Sequence, residues 1–294
     1  MKVILSISGV HLEEEKIKLL STINSEARVR QYWFSSWLEE SDPRNESILS
    51  MLSDFGLSPK ASLDKQDYAK EFRMSRIRLY DHDDYYKSDY LECHPHFIES
   101  HNMPVTMNRD ESGLLRFARS SLHPPPTNDI VLSNSWNVLS IQAAMDALEP
   151  LNLMGLTFKP TQLVHGQGGD AQWNRPVAWE DCAESDPWWE LSSEITLPPL
   201  SPSMDLQDAK RRPIERGDRS RGYVPREASF SHAELHYLRS DLAAVEPFDA
   251  AVTYESFGSD LKATPRLIVS QRFYQACVDS GLKGQWIPVR IDEN

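Results

Sequence analysis

Apolar and polar positions alternate over residues 2–10, with Val3, Leu5 and Ile7 on one side, and the period lengthens over 12–20, where Ile17, Leu19 and Leu20 follow Glu13, Glu14 and Glu15. The first pattern predicts a strand. The second predicts a short helix whose first-turn acids face the positive end of its dipole. Alternation returns over 28–34 and 72–80, where Phe72, Met74 and Leu79 are set against arginines, and residues 48–55 followed by Gly56 predict a helix with a glycine stop. The first third of the chain therefore reads as mixed α and β.

Residues 81–102 are acidic, aromatic and rich in histidine, and Pro124-Pro125-Pro126 can neither continue a helix nor pair centrally in a sheet. This places a boundary between an N-terminal α/β lobe, 1–123, and a C-terminal lobe, 124–294. A second irregular zone, a long insertion at 164–226, holds Gly166, Gly168, Gly169, many prolines and a charged patch from Lys210-Arg211-Arg212 to Arg226.

The C-terminal lobe repeats a pattern at 129–160 and 266–291. Ile130-Val131-Leu132-Ser133 leads through Trp136, Leu139, Ala143 and Leu148 to Leu153-Met154-Gly155-Leu156-Thr157-Phe158-Lys159-Pro160. Leu267-Ile268-Val269-Ser270 leads through Phe273, Tyr274 and Cys277 to Leu282-Lys283-Gly284-Gln285-Trp286-Ile287-Pro288-Val289. Each copy reads as a buried strand, a serine that caps the next helix, an amphipathic helix, a glycine turn and a strand ended by proline, with the longer helix in the first copy. The predicted fold class is α+β, mixed sheets with peripheral helices, with this strand-helix-strand unit repeated in the C-terminal half.

The stretch Ile268-Val269-Ser270, then Gly281-Leu282-Lys283-Gly284 and Pro288-Val289, resembles the C-terminal signature of bacterial immunity proteins associated with polymorphic toxins. That resemblance implies a non-enzymatic protein that protects its own cell by binding a cognate toxin. Some members carry paired Cys-x-x-Cys-Gly motifs, which Cys93, Cys182 and Cys277 cannot form. The matched positions are scaffold, so no binding residue transfers from the family to this chain.

Composition narrows the classes. The chain has 294 residues, 40% of them apolar, with 8 Trp, 10 Tyr and 10 Phe, too hydrophobic for a disordered chain. An odd count of 3 widely spaced cysteines argues against a disulfide framework and for a reducing, cytoplasmic setting. The N-terminal stretch lacks a basic region followed by a long apolar core, and no run approaches the roughly 18 to 20 apolar residues of a membrane span. A formal charge of -13 disfavours nucleic acid and anionic lipid and suits a basic protein partner.

Candidate chemistry is sparse. Asp81-His82-Asp83-Asp84-Tyr85-Tyr86 can form a contact surface in which Asp81, Asp83 and Asp84 steer a basic partner and Tyr85 and Tyr86 supply contact area, or a solvated loop. Trp188 and Trp189 anchor a loop to the core, form a partner hot spot or line a small-molecule pocket. His94 and His96 share a strand face and, with Cys93, His82, His101 and nearby acids, define the alternative function, a metal-dependent hydrolase. His165-Gly166-Gln167-Gly168-Gly169-Asp170 lacks the Lys-Ser or Lys-Thr of a phosphate loop, so no cofactor is expected. The Lys210–Arg226 patch reads as a solvated loop.

Overall fold

The computed structural model describes residues 1–30, 33–59, 71–93, 105–109, 114–120, 129–132, 138–166, 188–208, 222–226, 233–257 and 264–293. The fold is α+β with several mixed sheets, as the sequence pattern predicts. It divides into two compact units, one of Met1–Asp81 with Arg226–Ala233, the other of His82–Pro225 with Glu234–Asn294.

In the first unit β1 (Lys2–His11) is followed by α1 (Glu14–Ile23), β2 (Arg28–Arg30), β3 (Trp33–Glu39), α2 (Arg44–Asp54), β4 (Ser58–Pro59) and β5 (Glu71–Leu79). The sheet order is β2-β3-β1-β5-β4, with β1 antiparallel to both β3 and β5. Inserting β3 between β1 and β2, and β1 between β3 and β5, gives the split β-α-β arrangement of ferredoxin-like sheets. Leu5 and Ile7, Phe34 and Leu38, and Phe72 turn one sheet face onto Ile17 and Leu20 of α1 and Ile48 and Leu52 of α2. Those helix pairs are spaced i, i+3 and i, i+4, so each helix brings one stripe to the core. Gly56, at φ +76°, ends α2. Its N–H donates to the Ser53 carbonyl at 2.8 Å while the Leu57 N–H reaches Leu52 at 3.0 Å, a Schellman cap.

The second unit begins with α3 (His82–Lys87) and β6 (Tyr90–Cys93), then β7 (Val105–Arg109), β8 (Leu115–Ser120), β9 (Ile130–Leu132), β10 (Val138–Ile141) and α4 (Gln142–Leu148). It continues through β11 (Leu156–Gly166), β12 (Trp188–Ser193), β13 (Asp205–Asp208), β14 (Gly222–Arg226), β15 (His236–Leu238) and α5 (Arg239–Ala243). It ends with β16 (Ala250–Phe257), β17 (Thr264–Ser270), α6 (Gln271–Asp279), β18 (Trp286–Pro288) and β19 (Arg290–Asp292). One sheet has the order β7-β8-β11-β12-β10-β9, a second β13-β14-β16-β17-β6-β18, and β15 pairs with β19. Leu91, Val138, Leu148, Leu191, Leu267 and Phe273 belong to one continuous core drawn from both larger sheets. Fully burying side chains of this size is worth roughly 1.5–3 kcal/mol each.

The units divide at Asp81 and His82, not at the proline run expected to separate 1–123 from 124–294. The reason is the pairing of β6, a strand early in the chain, between β17 and β18 near its end. Residues 124–126 lie outside the described residues. The segment read as an irregular insertion, 164–226, contributes the end of β11 together with β12, β13 and β14.

The repeat is present with a changed boundary. In the second copy β17 runs into α6 and the Ser270 hydroxyl accepts the Phe273 N–H at 3.2 Å, as predicted. In the first copy the strand that precedes the helix is β10, not the 130–132 strand, and α4 is capped by Ile141 without a side-chain bond. The first helix is also the shorter, 7 residues in α4 against 9 in α6. Ser133, expected to cap it, lies outside the described residues.

Candidate functional site

Three groups of polar side chains stand out. The first is α3, where Asp83 is exposed and Asp84 is half-buried. Tyr86 is exposed by 47%. The helix is fixed by aromatic edges: ring centroids of Tyr85 and Tyr86 lie 5.7 and 5.5 Å from that of Tyr274, which in turn lies 5.7 Å from Trp286. His82 Nδ1 sits 3.0 Å from the Tyr274 hydroxyl, and Gln271 Nε2 donates to the Tyr85 carbonyl at 2.5 Å and to that of Ser88. Short-range acids thus stand on a helix whose backbone and rings are tied to α6 and β18. Asp81 closes the first unit, exposed, with its carboxylate 3.8 Å from the Met1 ammonium.

Trp188 and Trp189 are not joined to that surface. Trp188 is 8% exposed and packs with Leu115 and Leu139 in the core, so its ring is unavailable to a partner. Trp189 is half-buried and donates its Nε1–H to Gln142 Oε1 at 2.7 Å. His94 and His96 lie outside the described residues. Among the described residues no group of three or more His, Cys, Asp or Glu side chains is placed to hold a metal ion. Cys93 and Cys277 are buried free thiols, and burial pushes Cys277 up to about 12 and Cys93 higher still, the protonated and unreactive state.

The second group is a sealed charge cluster. β6 lies between β17 and β18, with Glu92 paired across to Ile268 on one side and Ile287 on the other. Its carboxylate is fully buried and Oε1 accepts from Arg266 Nη1 at 2.8 Å. The Arg266 guanidinium also lies 4.2 Å from the centroid of the Phe257 ring, a cation–π contact. Desolvation raises Glu92 to about 7 against the opposing pull of Arg266, and it holds the Arg266 guanidinium below its ordinary value. Burial, then the Glu255 and Glu92 carboxylates, push the Tyr237 phenol well up. Glu92 Oε2 and the Tyr237 hydroxyl make no hydrogen bond among the described residues. Such a cluster can hold a proton on Glu92 near neutrality, but its burial keeps it from touching a macromolecular partner.

The third group brings together Ser203, His236 and Asp292, residue types that carry nucleophilic catalysis elsewhere. Ser203 Oγ lies 3.2 Å from His236 Nδ1 and donates to Asp292 Oδ2 at 2.6 Å, while that same Oδ2 lies 3.6 Å from Nδ1 and accepts from Ser201 Oγ at 2.9 Å. Serine and carboxylate therefore meet one ring nitrogen. A nucleophilic triad needs them on opposite nitrogens, so that the imidazole can pass a proton from one side while being oriented from the other. The arrangement instead ties β19 to β15 and the Ser201–Ser203 turn.

Sequence reasoning named the α3 residues and missed the other two groups. Spacings of 174 residues between Glu92 and Arg266, and 89 between Ser203 and Asp292, leave no local signal. Neither protein-family models nor characterised proteins give a match to the chain. No helix among the described residues is long and apolar enough to cross a membrane.

Proposed function

We propose that the chain is a cytoplasmic, non-enzymatic immunity protein that neutralises a basic bacterial toxin by binding it through α3. The observation that carries this reading is the rigid seating of that helix: acids at Asp83 and Asp84 and an exposed Tyr86 ring stand over a stack formed with Tyr274 and Trp286. Pre-organised aromatic area with flanking carboxylates lowers the ordering cost of binding and steers a cationic partner. The net charge of -13 acts in the same direction.

The test is neutralisation. Toxin genes neighbouring the chain's own gene are expressed singly, and the protein is scored for rescue of growth and for binding. A basic toxin should be bound and its killing suppressed. Asp83→Lys with Asp84→Lys should lower affinity at least tenfold, mainly through the association rate, and Tyr86→Ala should raise the dissociation rate. Rescue that is untouched by all three changes would remove α3 from the interface.

A further inference from the structure

The two halves of the second unit match more deeply than the sequence repeat shows. The order β9-β10-β12-β11 in one sheet reproduces β16-β17-β6-β18 in the other. In both, every neighbouring pair within these four strands is antiparallel. β10 with α4 and β11 thus corresponds to β17 with α6 and β18, and the strand lying between the two ends of each unit is β12 in the first case and β6 in the second.

Those two central strands match each other in register. Trp188 pairs with Ile141, the residue capping α4, and Tyr90 pairs with Ser270, the residue capping α6. Counting from there aligns Glu190 with Glu92, each buried, and Pro160, opposite Trp189, with Pro288, opposite Leu91. The sequences concur in part: Ser88-Asp89-Tyr90-Leu91-Glu92 stands beside Ser185-Asp186-Pro187-Trp188-Trp189-Glu190, sharing Ser, Asp and Glu, with one inserted proline and with Tyr90 and Leu91 replaced by Trp188 and Trp189. This motif precedes its strand-helix-strand unit in the chain both times, so each half is a motif followed by a unit.

The hydrogen bonds between the halves are reciprocal. The Lys283 N–H donates to Asp129 Oδ2 at 2.8 Å while the Asp129 and Ile130 N–H groups donate to the Lys283 carbonyl at 2.9 and 3.0 Å. The Met154 N–H donates to Asp249 Oδ2 at 2.8 Å while the Asp249 and Ala250 N–H groups donate to the Met154 carbonyl at 2.8 and 3.0 Å. Asp129 and Asp249 each lie immediately before a strand at equivalent places, and each serves the helix–strand turn of the opposite half.

We infer that residues 82–293 are two fused copies of one motif-and-unit module that have exchanged their central strands, β6 completing the sheet of the second copy and β12 that of the first. This is the arrangement of a strand-swapped homodimer carried within one chain. Neither copy can close its own sheet: without the other's strand, β10 and β11, or β17 and β18, lose the neighbour that joins them, and their backbone groups lose their partners. The flanking strands are outside the duplication's symmetry, since β8 joins parallel to β11 and β14 joins parallel to β16.

Two measurements on the full chain test this. Amide hydrogen exchange resolved to single residues is compared for the parent, Asp129→Ala and Asp249→Ala. Exchange between copies predicts that Asp129→Ala speeds the Lys283 amide about tenfold and leaves Met154 near the parent rate, and that Asp249→Ala does the reverse. Acceleration confined to the turn of the mutated residue's own copy overturns the inference. In the second measurement a protease site is inserted between Gly169 and Asp170 and cleaved in the folded protein. The pieces should remain a one-to-one complex with the parent near-ultraviolet circular dichroism, and the urea midpoint should become concentration-dependent. Two separable pieces that each keep a folded spectrum overturn it.

Discussion

Removing the cation from the sealed cluster, by Arg266→Met, tests the account of Glu92 most directly. Arg266 and Glu92 have side chains exposed by only 7% and 0%. Breaking a pair so buried leaves an uncompensated carboxylate and costs about 3–5 kcal/mol. The cost must depend on pH. In the unfolded chain Glu92 titrates near 4.5 and in the folded parent near 7, so between those values the folded state keeps a proton the unfolded state has released. Stability therefore falls as pH rises across that window, by about 3 kcal/mol in all, and levels off above it. Loss of the guanidinium, which pulls the value down, moves the folded pKa of the variant higher still. The variant then continues to lose about 1.4 kcal/mol per pH unit where the parent is level. Urea unfolding followed by tryptophan fluorescence at constant ionic strength, at pH 6 and 8.5, should show the gap between the two proteins widening by about 2 kcal/mol. Adding Glu92→Met removes the buried carboxyl that has lost its partner and should return the protein to within about 1 kcal/mol of the parent at pH 7. A gap of equal size at both pH values, or a double variant as unstable as the single, would refute the assignment of a buried titrating carboxylate.

Further outcomes follow from single contacts. Ser270→Ala loses the cap on α6 and the bond to Asp249 Oδ1 at 2.8 Å, and should cost about 1–2 kcal/mol, read as a lowered urea midpoint at unchanged slope. Gly155→Ala places a Cβ 2.3 Å from the Ala250 carbonyl oxygen at a residue with φ +82°, and should cost more than about 2 kcal/mol, with reduced soluble yield as a second readout. Gly281→Ala, at φ +68° with open space around it, should cost only about 1 kcal/mol. Cys93 and Cys277 should resist iodoacetamide in the folded protein and react on unfolding, as peptide mapping before and after urea would record; rapid native labelling of either would contradict their burial.

The local elements were legible because short-range physics decides them. Alternation marks β1 and β5, the acid-led apolar stripe marks α1, and Gly56 and Gly281 mark Schellman ends that need a left-handed residue. The repeat was legible too, and the helix of its second copy begins where Ser270 predicts. What failed was the grouping of elements. The acidic run after Asp81 looked like a solvated loop, since nothing within a few residues shows that Tyr90–Cys93 becomes a strand held between two others that come after residue 263. The same gap hid the burial of Glu92, which is tolerable only because Arg266 arrives from the far end of the chain, and the burial of Trp188, which the pairing of β12 with β10 and β11 places in the core. Periodicity and caps are set by neighbours along the backbone and can be read in sequence. Strand partners, the exchange of β6 and β12, and the charge balance of the core are set by contacts between residues tens to hundreds apart, whose free energy exists only once the chain has closed on itself.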